Sequence, residues 1–153
     1  PSRILSRKLK QLFHEQYMTS DYDPSARTDE HFDITRIDAP ADRFDTIICF
    51  HVLAHIPDDN KAFRELYRIC RIHGNVLLQS PFQEGETYED FYITDPADRK
   101  LHFGQEDHVR IYNPTHLKQR LEEAGFTVDL RQYPEDIPMG LKEEYILWCR
   151  KTR

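Results

Sequence analysis

From Ser2 to Phe13 the apolar residues Ile4, Leu5, Leu9, Leu12 and Phe13 recur at helical spacing with Arg and Lys between them, which predicts an amphipathic helix. Tyr17-Met18-Thr19-Ser20 is a β-prone run that meets the turn formers Asp21-Tyr22-Asp23-Pro24, so a strand stopping at Asp21 is expected. Phe32-Asp33-Ile34 reads as a second short strand ahead of the turn-rich stretch from Asp38 to Arg43. Phe44 to Phe50 is nearly continuous apolar sequence around Ile47, Ile48 and Cys49, the pattern of a parallel strand buried on both faces. Pro57-Asp58-Asp59 offers acidic capping before Phe63, Leu66, Tyr67 and Cys70, which share one helical face, and Gly74 is placed to close that helix in a left-handed conformation. Val76-Leu77-Leu78 is the next buried strand. Strand, helix and strand in this order make a parallel crossover and an α/β architecture.

Beyond Pro81 the regular pattern dissolves as far as Tyr112 into a polar stretch bearing aromatics, longer than a structureless loop should be, and a lid or substrate-facing insertion is expected there. Asn113 as cap and Pro114 as first residue open a helix through Leu117, Leu121 and Ala124 that Gly125 closes. Strands near Thr127 to Gln132 and Tyr145 to Cys149 complete the order as an antiparallel margin. The expected fold is a Rossmann-like α/β domain: a mostly parallel sheet, flanking helices and a C-terminal antiparallel strand pair, truncated at the N-terminus.

Length and charge narrow the function classes. A chain of 153 residues matches one domain at about 150 residues each, so residues 1–153 are read as a single domain with the insertion at about 81–112. The net charge of −6 disfavours nucleic acid, whose phosphates call for a basic stripe. No run approaches the roughly eighteen apolar residues of a membrane span. Arg3, Arg7, Lys8 and Lys10 lack the apolar core of a secretory signal behind them. The three cysteines, Cys49, Cys70 and Cys149, have no metal-like spacing and suit buried roles in a reducing compartment, so a cytoplasmic location is expected. Pro1 stands where a natural chain starts with Met, so the sequence reads as a piece of something longer.

The string from Phe44 to Phe82 is similar to the core of class I S-adenosylmethionine-dependent methyltransferases of the type 11 group. The resemblance is carried by Phe44-Asp45 before the strand, the His51 to His55 segment, the Arg64-Glu65-Leu66-Tyr67-Arg68 pattern and Gly74 before the next strand. Glu123-Ala124-Gly125-Phe126 followed by two strands also resembles the family, and the likeness covers most of the chain from about Tyr17. Two departures stand out. The family's first strand and glycine-rich loop belong ahead of the Ser2 to Phe13 helix, whereas the glycines here are Gly74, Gly85, Gly104, Gly125 and Gly140. An acidic residue common between the two histidines is Ala54, and the usual Pro-Gly turn is His73-Gly74.

The resemblance implies a methyltransferase using S-adenosylmethionine on an unidentified acceptor. Methyl transfer is an in-line displacement that a protein assists mostly by positioning and by excluding water. A ribose diol is best held by a carboxylate at the carboxyl end of a parallel strand, which points to Asp21, with Asp23 as competitor and a turn residue as the plain reading. Tyr22 is placed to flank the adenine. Asp33 and Ile34 match the segment that meets the adenine in the family, and Phe50 and His51, after the central strand, match the one beside the methionine portion. His108 and His55 are candidate bases and Arg110 a candidate anchor for an anionic acceptor group, against the plain reading of a solvated loop with Arg110 paired to Glu106. Glu84, Glu86, Glu89 and Asp90 read as a solvated acidic face.

His51 and His55 lie one helical turn apart, but Val52 replaces the Glu of the zinc-protease helix, and no metal is expected. A metal-dependent hydrolase built on His51, His55, His102 or His108 rests on side-chain inventory alone. The competing reading from another class is a degenerate methyltransferase fold kept as an interaction module. Either way, exposed strand edges lead to an expected homodimer.

Overall fold

The computed structural model describes residues 3–136, 138 and 142–153, so Ser2 and Gly140 of the expectations above lie outside the described residues. Helix α1 (Arg3–Phe13) forms over the amphipathic run, yet Ile4, Leu12 and Phe13 stay exposed. Strands β1 (Ser20–Asp21) and β2 (Glu30–His31) pair in parallel, Ser20 opposite Glu30 and Asp21 opposite His31. The second strand thus falls ahead of the expected Phe32-Asp33-Ile34. The Asp33 carboxylate accepts from both the Thr35 amide (2.8 Å) and the Thr35 hydroxyl (2.7 Å), and this local capture turns the chain where a ladder would have continued.

Strand β3 (Phe44–Phe50) runs parallel to β4 (Cys70–Gln79), with Ile47 opposite Val76 and Ile48 opposite Leu77. Helix α2 (Asp59–Ile69) makes the crossover, capped by Asp58, whose carboxylate accepts the Lys61 amide at 3.2 Å. Its end differs from expectation. Cys70 is already extended, His73 takes the positive φ of 68°, and Gly74 lies within β4. Glycine is needed there for close approach: a Cβ would stand 2.8 Å from the Arg71 carbonyl oxygen and 2.9 Å from that of Asp45.

The segment expected to lack regular structure contains strand β5 (Tyr88–Glu89), helix α3 (Pro96–Phe103) and strand β6 (Arg110–Ile111), with β5 and β6 antiparallel. Helix α4 (Pro114–Glu123) starts as foreseen, with Asn113 Oδ1 accepting the Thr115 amide at 2.8 Å and that of His116 at 3.2 Å. Gly125, at φ 109°, follows its end. Strands β7 (Thr127–Tyr133) and β8 (Glu144–Arg150) pair antiparallel, and the larger sheet has the order β3-β4-β8-β7. The fold is therefore the expected Rossmann-like α/β class. Its parallel strands are divided, however: β1 and β2 form a sheet of their own, and β3 is an edge strand whose outer backbone has no partner among the described residues.

One core lies between the four-stranded sheet and the helices α2 and α4, with Phe63, Leu66, Val76, Leu78, Leu117, Leu121 and Leu147 buried. The Arg-Glu-Leu-x-Arg motif ties the smaller sheet to this core. Arg68 donates to the carbonyls of Ala39 (2.6 Å) and Ile37 (2.8 Å), while Glu65 accepts the Ile37 amide (2.7 Å) and the Arg68 Nε–H (2.8 Å). Both side chains thus brace the connection between β2 and β3. Among the described residues no helix is long and apolar enough to cross a membrane.

Candidate active site

Parallel strands align their peptide dipoles and leave their carboxyl ends open, and in open α/β sheets ligands bind there. Such ends are Asp21 on β1, His31 on β2, Phe50 on β3 and Gln79 on β4. Asp21 is exposed and uses Oδ1 to accept the Asp23 amide at 2.9 Å. Asp23, its competitor in sequence, spends one oxygen on the Ser25 amide and the other on the Ser25 hydroxyl, both at 2.8 Å. The Ser25 amide, followed by the hydroxyl, holds the Asp23 carboxyl below the usual carboxylate range. Of the two, Asp21 is the carboxylate with capacity for a diol. Tyr22 is 77% exposed beside it.

Asp33 sits in the turn after β2, its carboxyl lowered by the Thr35 hydroxyl and then by the Thr35 amide. Ile34 is half-buried and packs against the core. At the end of β3 the His51 amide still bonds to Gln79 O (2.9 Å), and then the chain turns sharply, with His51 at φ 58°. A non-glycine residue in that region is uncommon, and such conformations concentrate at ligand-binding turns. His51 itself is exposed.

A short turn of 3-10 helix, Leu53–His55, brings His55 against the loop before β6, held by the Val109 amide donating to Ala54 O at 2.9 Å. His55 Nδ1 lies 3.1 Å from an Asp107 carboxylate oxygen, and the His55 and His108 ring centroids are 4.6 Å apart at 71°. His108 is 2% exposed. Its Nδ1 is 3.1 Å from Phe103 O, which can only accept, so the proton is on Nδ1 and Nε2 carries a bare lone pair. Among the described residues no partner reaches that Nε2. Burial, against the raising effect of the Phe103 bond, moves His108 below the ordinary histidine range.

Arg110 is 1% exposed and committed to the interior. Its guanidinium donates to Glu89 (2.9 Å), Tyr112 OH (2.9 Å) and the carbonyls of Ile56 and Pro57 (both 2.8 Å), and stands 3.0 Å from Asp59. Asp59 also accepts from Tyr112 OH and from Arg120, each at 2.8 Å, and Arg120 reaches Glu89 at 2.8 Å. The expected role of Arg110 as a free anchor gives way to that of a brace, because its buried guanidinium is tied to two carbonyls, a phenol and two carboxylates. The alternative partner Glu106 instead pairs with Lys100 at 3.2 Å. Glu89, read as part of a solvated face, is one corner of the network, and its carboxyl is lowered first by the Arg120 hydrogen bond. A cavity of about 300 Å³ opens beside these groups, bounded also by Asn60 and Phe91.

Asp59, Glu89 and Arg120 carried no sequence signal, since each lies in a different element and only the tertiary fold joins them. Asp107 had one: it directly precedes His108. The three cysteines are buried and free, with burial raising Cys49 to about 12 and Cys70 to about 11.

Parallel strands, one pair ending at an exposed carboxylate and the other at a left-handed turn, define an α/β domain. A sequence model of the family described as a methyltransferase domain matches residues 2–130, and the chain belongs to that family. No curated protein matches the sequence. Among solved structures, the fold is similar to that of the Burkholderia thailandensis 1,6-didemethyltoxoflavin-N1-methyltransferase, crystallised with 1,6-didemethyltoxoflavin and S-adenosylhomocysteine. The TM-score is 0.65 at 18% identity, over 99% of this chain and 67% of that one. Haemonchus contortus phosphoethanolamine N-methyltransferase 2, in complex with phosphomonomethylethanolamine and S-adenosylhomocysteine, gives 0.56 at 13% identity over 81% of this chain and 37% of its own. The [4+2]-cyclase SpnF gives 0.56 at 16% identity over 83% of this chain, which spans 58% of the cyclase. These likenesses establish the fold, and a cyclase among them illustrates that this fold does not fix one reaction.

Proposed function

We propose that this chain binds S-adenosylmethionine and transfers its methyl group to an acceptor held under the 81–112 segment. The observation that carries the reading is the exposed Asp21 carboxylate at the carboxyl end of a parallel strand, in a chain of the methyltransferase-domain family. Asp21 accepts from the ribose hydroxyls, and Tyr22 covers one face of the adenine. Asp33, whose Oδ1 already serves Thr35, contributes its remaining capacity to the adenine amine, with Ile34 as apolar neighbour. The Phe50–His51 backbone lies against the amino-acid portion, where the turn at His51 brings peptide groups to the strand end. When bound, the donor supplies an activated methyl group, and the chain's own part is to align the partners and exclude water.

The net charge of −6 supports an acceptor other than nucleic acid. The three buried free thiols support a cytoplasmic setting. The open edge of β3 supports pairing between two copies of the chain, which sedimentation over a concentration series checks; a monomer at every concentration would refute it. The donor reading is tested by calorimetric titration with S-adenosylmethionine and S-adenosylhomocysteine. Micromolar binding that Asp21→Ala weakens at least about tenfold is expected. Silence from both ligands overturns it and favours an interaction module on a methyltransferase fold.

A further inference from the structure

The geometry points to a divalent-cation site of the zinc class formed by His55, Asp107 and His108. The site has two imidazole nitrogens and one carboxylate oxygen, and these ligand atoms lie within 4.8 Å of one another. Three protein ligands of this kind with a fourth position open is the donor set of a catalytic rather than a structural zinc site. The separation of His55 Nδ1 from the Asp107 carboxylate, 3.1 Å, is near the ligand-to-ligand distance of about 3.4 Å that a tetrahedral ion with bonds of about 2.1 Å requires.

A second observation, independent of the clustering, points to a ligand. His108 is buried, its Nδ1 proton is spent on Phe103 O, and its Nε2 lone pair has no partner among the described residues, in a ring packed against that of His55. A hydrogen bond from the second ring nitrogen to a backbone carbonyl is the usual way a metal-binding imidazole is oriented and its tautomer fixed. Leaving such a buried nitrogen unpaired costs free energy, and a cation removes that cost. The closure still needed falls on the less buried groups, since the Asp107 side chain is 71% exposed and that of His55 30% exposed, whereas His108 is buried.

The site follows the end of β3 by one turn, so an ion there stands between the proposed donor edge and the 81–112 segment. Both histidines then serve as ligands, and the proton-accepting roles expected of them are replaced. An acceptor hydroxyl bound at the open position would lose its proton more readily, as metal-bound oxygen acids do. Ion binding itself does not depend on the methyl-donor reading.

The experiment uses the full chain without an affinity tag, stripped with a chelator and titrated with zinc chloride in competition with a chromophoric chelator. One ion per chain at a dissociation constant of about 1 μM or tighter is expected. Asp107→Asn, at an exposed side chain, should weaken it at least about tenfold, as should His55→Ala. His102→Ala, at an exposed histidine bonded to Tyr88, should leave the affinity unchanged. Cobalt(II) added in place of zinc gives a second readout, visible absorption that Asp107→Asn alters. No binding tighter than about 100 μM, or equal binding by wild type and both ligand variants, overturns the site. The S-adenosylmethionine titration is a separate measurement, so failure of one reading leaves the other standing.

Discussion

Arg110→Met is the substitution whose cost the structure defines best. Arg110 and Arg120 are balanced by Asp59 and Glu89, and methionine keeps the volume of the stem while deleting one of two cations. Asp59 is 3% exposed and would keep Arg120 and Tyr112 as partners, while Glu89 would keep Arg120 alone. The Pro57 carbonyl can find water at an exposed residue, but the half-buried Ile56 carbonyl loses its donor. Removing one partner of a buried ion pair costs about 3–5 kcal/mol, chiefly because the other charge is left under-compensated. At roughly 2–4 °C per kcal/mol for a chain of this size, the melting temperature should fall by about 6–20 °C. Arg120→Met, at a side chain 27% exposed, should cost less, about 1–2 kcal/mol. Urea unfolding with an unchanged slope measures both. A second cycle, adding Asp59→Leu to Arg110→Met, should recover part of the loss by removing the stranded carboxylate. The reasoning fails if Arg110→Met costs under about 1 kcal/mol, or no more than Arg120→Met.

Two further outcomes follow from the same arrangement of charge and burial. Because Glu89 is depressed in the folded chain, its contribution is complete above the unfolded carboxyl range, near pH 4.3, and is lost as pH falls through the lower folded value. Glu89→Gln should therefore flatten the decline in melting temperature below about pH 4.5, and an unchanged acid limb would contradict this. Cys49 and Cys70, raised to about 12 and 11 by burial, are neutral thiols at pH 8. Iodoacetamide should leave both unmodified in the native chain and label them in urea, as read by intact mass; rapid native labelling would show the burial to be wrong.

Periodicity located what periodicity controls. The near-continuous apolar run around Ile47 and Ile48, the cap pair Asn113-Pro114 and the face shared by Phe63, Leu66 and Tyr67 are local signals, and the elements appear at those places. Errors arose where a side chain redirected the backbone or where a glycine had two available reasons. Asp33 bends a stretch that reads as strand, and Gly74 is required by the approach of two carbonyls rather than by a helix end. The α3 helix was missed because its apolar face is thin: Phe103 is buried, while Leu101 is exposed. The site divides in the same way. Asp21 and Phe50-His51 follow from strand ends, which sequence marks. The four-membered network around Arg110 and the meeting of His55 with Asp107 and His108 depend on which loops the fold brings face to face.

The outward side of β3 has a further consequence. Every second residue of this seven-residue strand turns its amide and carbonyl away from β4, along a strand only partly sealed from solvent whose last residue adjoins the turn at His51. Any extended segment that zips onto this rail also comes to rest beside the strand end proposed to hold the methyl donor. Dose therefore becomes an experimental variable in its own right: saturation curves collected at dilute and at concentrated protein should not be pooled until they superimpose.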